Sequence, residues 1–164
     1  MQDELRSIMA PLALEFSWRE LDPVRGGKVV PELAVITFCG RCTADGLMPL
    51  ASTSGPLGWT HISDGDILPF AEVDCDGIRA FLQKPLLALR PAERETRFGR
   101  AVARVLAHEL YHIFAGTTHH ASCGVAKSGF TVRDLLEPGF RFQEQALRSF
   151  QQTRLRDHND VLKR

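Results

Sequence analysis

Residues 108–120 read His-Glu-Leu-Tyr-His-Ile-Phe-Ala-Gly-Thr-Thr-His-His and hold four of the chain's six histidines. On a helix, His108 and His112 lie one turn apart on the same face, so their rings can grip a single cation. Glu109 points just beside that face, where its carboxylate can reach a water on the cation without ligating the metal. Gly116 suits the left-handed backbone that closes a helix. The His119-His120 pair that follows can supply a third ligand. Two or three imidazoles around Zn²⁺ with a carboxylate alongside are the parts that activate water for attack on a carbonyl.

Such a set of ligands needs a rigid support, and the preceding residues supply one. Pro91 belongs at the first position of a helix, where its missing N–H costs nothing, and Glu93 and Glu95 favour the positive end of the helix dipole. The periodicity predicts a long helix from Pro91 to Ala115. Phe98, Ala101, Val102 and Val105 share a face with His108, Glu109 and His112. Glu93, Arg97, Arg100, Arg104 and Tyr111 fall on the opposite face, which reads as solvated. The ligand face therefore continues an apolar stripe that should pack on a sheet.

The remaining elements are laid out around that helix. Residues 3–14 suggest a short amphipathic helix interrupted near Pro11. Residues 14–21 alternate apolar and polar, the pattern of a half-buried strand. Residues 32–39 form a more continuous apolar run, expected to be a central strand. Residues 40–56 are rich in Gly, Ser, Thr and Pro and read as a loop. Two strands, 57–63 and 66–73, flank Asp64-Gly65, a type I′ hairpin signal, and Pro69 should mark an edge or a bulge. His61 reads as a surface histidine. Asp76 is placed to cap a short helix that buries Ile78, Phe81 and Leu82 and ends at Pro85. Thr131 to Asp134 has the form of a capping box for a helix through Leu136. Residues 141–156 make a last amphipathic helix with Phe142, Ala146, Leu147 and Phe150 inward, and 157–164 read as a frayed tail.

Composition bounds the function. A chain of 164 residues fits one domain with a real core. A formal net charge of +0 argues against nucleic acid or an anionic membrane as the main partner. No apolar run approaches membrane-spanning length. Residues 1–30 lack the pattern of a signal peptide, with Asp3 and Glu4 where a basic segment belongs; this suits a cytoplasmic protein or a mature form whose signal has been removed. The cysteines are Cys39, Cys42, Cys75 and Cys123. They admit a redox CxxC, a four-cysteine zinc, buried thiols, or structural disulfides with Cys42–Cys75 the leading pair.

The order of strands, hairpin, HExxH helix, glycine turn and third histidine resembles the metzincin clan of zinc peptidases. The usual signature is HExxHxxGxxH followed by a tight turn that places a methionine beneath the metal. The spacing here is similar to a variant in poorly characterised bacterial metzincin-like proteins. That variant has glycine four after the second histidine, histidine four further on, and then Gly-Ile/Val-Met. His112, Gly116, His120, Gly124 and Val125 match it, and Ala126 stands where the methionine belongs. The resemblance covers roughly residues 57–136 and is specific over 108–125.

The resemblance implies an α+β fold: a single metzincin-like domain over residues 1–164, with a small mixed sheet packed on the HExxH helix and a C-terminal helix. It implies Zn²⁺ held by His108, His112 and His120, with His119 the alternative third ligand under the shorter glycine-to-histidine rule. Glu109 would act as general base in peptide hydrolysis, and the hairpin edge at 66–73 would pair with an extended peptide. Lys127 and Arg133 are oxyanion candidates by sequence proximity. The expected partner is a peptide or protein substrate and the expected state a monomer, with neither nucleic acid nor membrane as partner. The cysteines and the clan's habit lean toward an extracytoplasmic, secreted form, with a cytoplasmic one as the alternative. Two other readings stay open: a degenerate relative whose zinc is structural or serves peptide binding, and a fortuitous HExxH.

Overall fold

A computed structural model describes residues 1–21, 32–48 and 55–161, without the side chains of 155–161. The fold is α+β. A three-stranded sheet packs on one long helix, with shorter helices around it and a C-terminal helix. In order these are α1 (Gln2–Met9), a 3₁₀ turn at Ala10–Leu12, β1 (Val35–Cys39), β2 (Gly58–Ser63), β3 (Asp66–Asp74), α2 (Cys75–Leu87), α3 (Pro91–Ala115), α4 (Val132–Leu136) and α5 (Glu144–Val161).

The sheet order is β1-β3-β2, with β1 parallel and β2 antiparallel to β3. The central strand is therefore β3, and the apolar run of β1 is an edge. Pro69 does not prevent this. The β1 ladder begins one residue later, at Val35↔Phe70, and the β2 ladder is irregular between Thr60 and Ile62, so Pro69 owes no donor to either. Asp64 and Gly65 have φ of 52° and 89°, the positive pair that a type I′ turn requires. The peptide-pairing edge expected at 66–73 is covered by β1 from Phe70 onward. Among the described strands the free edge of the hairpin is β2.

Residues 14–21 form no strand. Leu14 is buried and Phe16 packs on the core, its ring 6.2 Å from Phe114. Alternation arises wherever an extended segment lies on an apolar surface; a ladder needs a partner as well. The cap of α2 is Asp74 and not Asp76: its carboxylate accepts from the Gly77 N–H. Pro85 lies inside α2, which continues to Leu87. Ile78 and Leu82 are fully buried as expected, but Phe81 is 40% exposed. The frayed tail expected over 157–164 overlaps helical backbone through Val161, and 162–164 lie outside the described residues.

The arginine face of α3 is solvated only toward its start, where Glu93 is exposed and Arg97 and Arg100 are half-buried. Arg104 is 2% exposed and Tyr111 4%. The last carbonyls of a short helix have no partner within it, and those of α4 are met by this row. Arg104 donates to Asp134 O and Glu137 O at 2.6 Å, and Arg97 and Arg100 donate to Leu136 O at 2.8 and 3.2 Å. Arg104 also pairs with Glu4 of α1 at 2.7 Å. The polar face of α3 thus clamps α1 and α4, while its apolar face holds the sheet.

Cys42 and Cys75 are joined in a disulfide, and Cys39 and Cys123 are free. This separates the CxxC pair and leaves no four-cysteine metal site. The bridge ties the loop after β1 to the start of α2. There the buried Arg79 also donates to Thr43 O, Asp45 O and Gly46 O. Closing a loop with a sequence separation of 33 is worth roughly 3–4 kcal/mol in the chain-entropy model. Thiol counting on the denatured protein should give two free thiols before reduction and four after; four before reduction would refute the bridge.

Candidate metal centre

The long helix delivers its ligands as the spacing requires. Pro91 sits at its first position and Gly116 at its C-cap, with φ 56° and ψ 40°. There the chain leaves α3 and turns back over its last turn. His108 and His112 are buried at 6% and 7% exposure. The segment after Gly116 brings His120 to them, and ligand nitrogens of His108, His112 and His120 all lie within 4.8 Å of one another. The ring centroids are 4.6 Å (His108–His112), 4.8 Å (His112–His120) and 5.2 Å (His108–His120) apart. His119 is exposed and stands outside the cluster. His61 pairs with Glu72 at 2.8 Å on the hairpin, away from the three.

The hydrogen bonds decide what these rings can bind. His108 Nδ1 donates to Val125 O at 2.7 Å, and His112 Nδ1 donates to Thr117 O at 2.6 Å. A carbonyl only accepts, so both Nδ1 atoms carry the proton. Burial pushes the His108 pKa down to about 4 and lowers that of His112 as well. Both rings are therefore neutral near pH 7, and both Nε2 atoms carry a bare lone pair. Those two atoms face each other at 3.0 Å. Two acceptors this close repel unless a cation lies between them. Zn–N bonds of roughly 2.0–2.1 Å put tetrahedral ligand nitrogens about 3.3–3.4 Å apart. The donor set fits a divalent metal, and an N–H···O=C contact behind each ligand is the usual outer support.

The return turn after His120 supports the site through its backbone. Ala121 N donates to Ala126 O at 2.7 Å, and Val125 N to Arg141 O at 3.1 Å. Gly124 has φ 74°, and a Cβ there would come within 2.5 Å of Arg141 O, so only glycine fits. Ala126 is buried and brings no methionine to the site. Comparison with protein-family models, with curated proteins and with solved structures finds no match to this chain. The geometry classifies the site by itself. His108-Glu109-x-x-His112 with His120 forms a metzincin-like metal site without a Met-turn.

Glu109 is 4% exposed and is not among the clustered ligands, yet it lines the same cavity. Burial pushes its pKa up to about 7, against a Thr60 hydrogen bond that lowers it. Thr60 Oγ1 donates to Glu109 Oε2 at 2.9 Å from the inner face of β2. Gly58, two residues earlier on that face, makes room for the carboxylate. A Cβ there would lie 2.8 Å from Val105 Cγ1 and 3.0 Å from Glu109 Oε1. Neither Thr60 nor Gly58 stands out in the motif spacing that marks Glu109. A glycine inside a strand marks close backbone approach and was the available signal for Gly58; nothing local marks Thr60. The cavity, of about 300 Å³, is walled by Pro56, Trp59, Ile62 and Ile67 on the hairpin side and by Thr117, Thr118 and Ser128 on the other. Neither Lys127 nor Arg133 lines it. Lys127 is paired with Asp134, and Arg133 with Glu137 at 2.7 Å.

Proposed function

We propose that this protein is a zinc-dependent peptidase in which Glu109 is the general base. The reading is carried by the facing Nε2 atoms of His108 and His112, completed by His120, with a carboxylate on the cavity wall outside the ligand set. Zn²⁺ held by His108, His112 and His120 would supply Lewis-acid polarisation of water and of the scissile carbonyl. Glu109 accepts the proton of the attacking water and returns it to the leaving amine. Thr60 aims the carboxylate by donating to Oε2. The free edge of β2 runs along the cavity, so an extended peptide can add to it as a further strand with its backbone facing the metal site.

A structural or purely binding zinc is the second reading, favoured by Ala126 in the methionine's place. Structural zinc sites are closed by four protein ligands. Here three ligands cluster among the described residues, and the third, His120, is exposed beside the cavity, which supports an open position for substrate. The described helices include none long and apolar enough to cross a membrane.

The expected result is one zinc per chain and cleavage of a peptide library that stops with a chelator and returns with zinc. A protein that takes no transition metal after reconstitution would refute the metal reading. One that binds zinc but cleaves no peptide would leave the structural reading in its place.

A further inference from the structure

We propose that Phe130 positions the His108 ring, supplying the support that a methionine gives in the clan this chain resembles. The inference rests on the metal reading above but not on hydrolysis. At the methionine position Ala126 offers only a methyl group, and the turn's contribution to His108 is the Val125 carbonyl on Nδ1. One hydrogen bond holds one point of an imidazole, and its tilt about that point is set by what packs against the ring.

Phe130, four residues beyond Ala126, packs there. Its ring lies 5.4 Å from His108 at 78°, the edge-to-face arrangement that aromatic pairs prefer. The phenyl ring is itself braced. Phe140, 9% exposed, stands 5.9 Å behind it, and the Arg104 guanidinium lies 5.2 Å over Phe140. Arg104 is one turn before His108 on α3 and is held by Glu4 and the carbonyls of Asp134 and Glu137. The column therefore begins and ends on one rigid helix. His120 stacks on His108 at 5.2 Å and 14°, so the tilt of His108 also governs where His120 presents its nitrogen.

An outer group that orients a ligand typically changes metal affinity by roughly 10–100-fold. The test is zinc affinity by competition with a chromophoric chelator, together with the visible absorption of the cobalt(II)-loaded protein. Parent, Phe130→Ala, Phe130→Met and Phe150→Leu are compared, the last a buried change on α5 that lowers stability. Phe130→Ala should bind zinc roughly 10–100-fold more weakly with an altered cobalt spectrum. Phe130→Met should recover most of both, and Phe150→Leu should move neither. If the alanine variant does not fold, Phe130→Leu carries the same comparison. The proposal is overturned if Phe130→Ala stays within about twofold of the parent with the same spectrum, well below an outer-shell effect. It is also overturned if Phe150→Leu weakens zinc equally, or if methionine restores neither readout. A parent that binds no zinc at all would overturn the metal reading and this inference together.

Discussion

Glu109→Gln is expected to keep one zinc per chain and to lower peptide hydrolysis about 10²–10⁴-fold, the usual contribution of a positioned general base. The carboxylate is outside the ligand cluster, so its loss leaves the three imidazoles in place. Glutamine has the same shape, and its amide oxygen can still accept from Thr60 Oγ1. The group at 109 is 4% exposed, and burial already works against its charged form. A neutral amide there therefore carries no added desolvation cost, and the variant should be as stable as the parent. What it loses is the ability to take a proton. Metal content and kcat/KM on a peptide that the parent cleaves are the measurements. A Glu109→Gln variant with parental turnover would remove Glu109 from the proposed mechanism.

His120→Ala should cost more zinc affinity than the roughly 10–100-fold of an outer-shell change, whereas His119→Ala should bind near the parental level. The difference follows from placement. His120 completes the cluster within 4.8 Å and stacks on His108, while the exposed His119 stands outside it. The helix pair cannot compensate for the loss. His108 and His112 come from one face of α3 and approach a metal from one side, so the third ligand has to come from another segment. Zinc titration of the two variants decides between the neighbours, and a His119→Ala protein that loses metal while His120→Ala retains it would reverse the assignment.

The parts of the fold and of the site whose information is local were legible in the residues alone. Two histidines four apart on a helix share a face whatever surrounds them, and Pro91 and Gly116 bounded that helix at both ends. Asp64-Gly65 specified its turn, and Thr131 with Asp134 specified a capping box, because each is satisfied within a few residues. Whatever depended on which neighbour arrives was set by long-range packing. An amphipathic pattern separates polar from apolar but does not say what covers the polar side, so the arginines of α3 read as solvated although they engage the carbonyls of α4 and Arg104 is buried there. An apolar run marks a strand but not its rank, and β1 proved to be an edge because β3 lies between it and β2. At the site the same division holds. Spacing placed Glu109 beside the metal face, but Thr60 and Gly58 had to come from a strand some 49–51 residues earlier to aim it. Ala126 was legible as a missing methionine. Phe130 was not, because a ring that reaches His108 by packing leaves no periodicity to read.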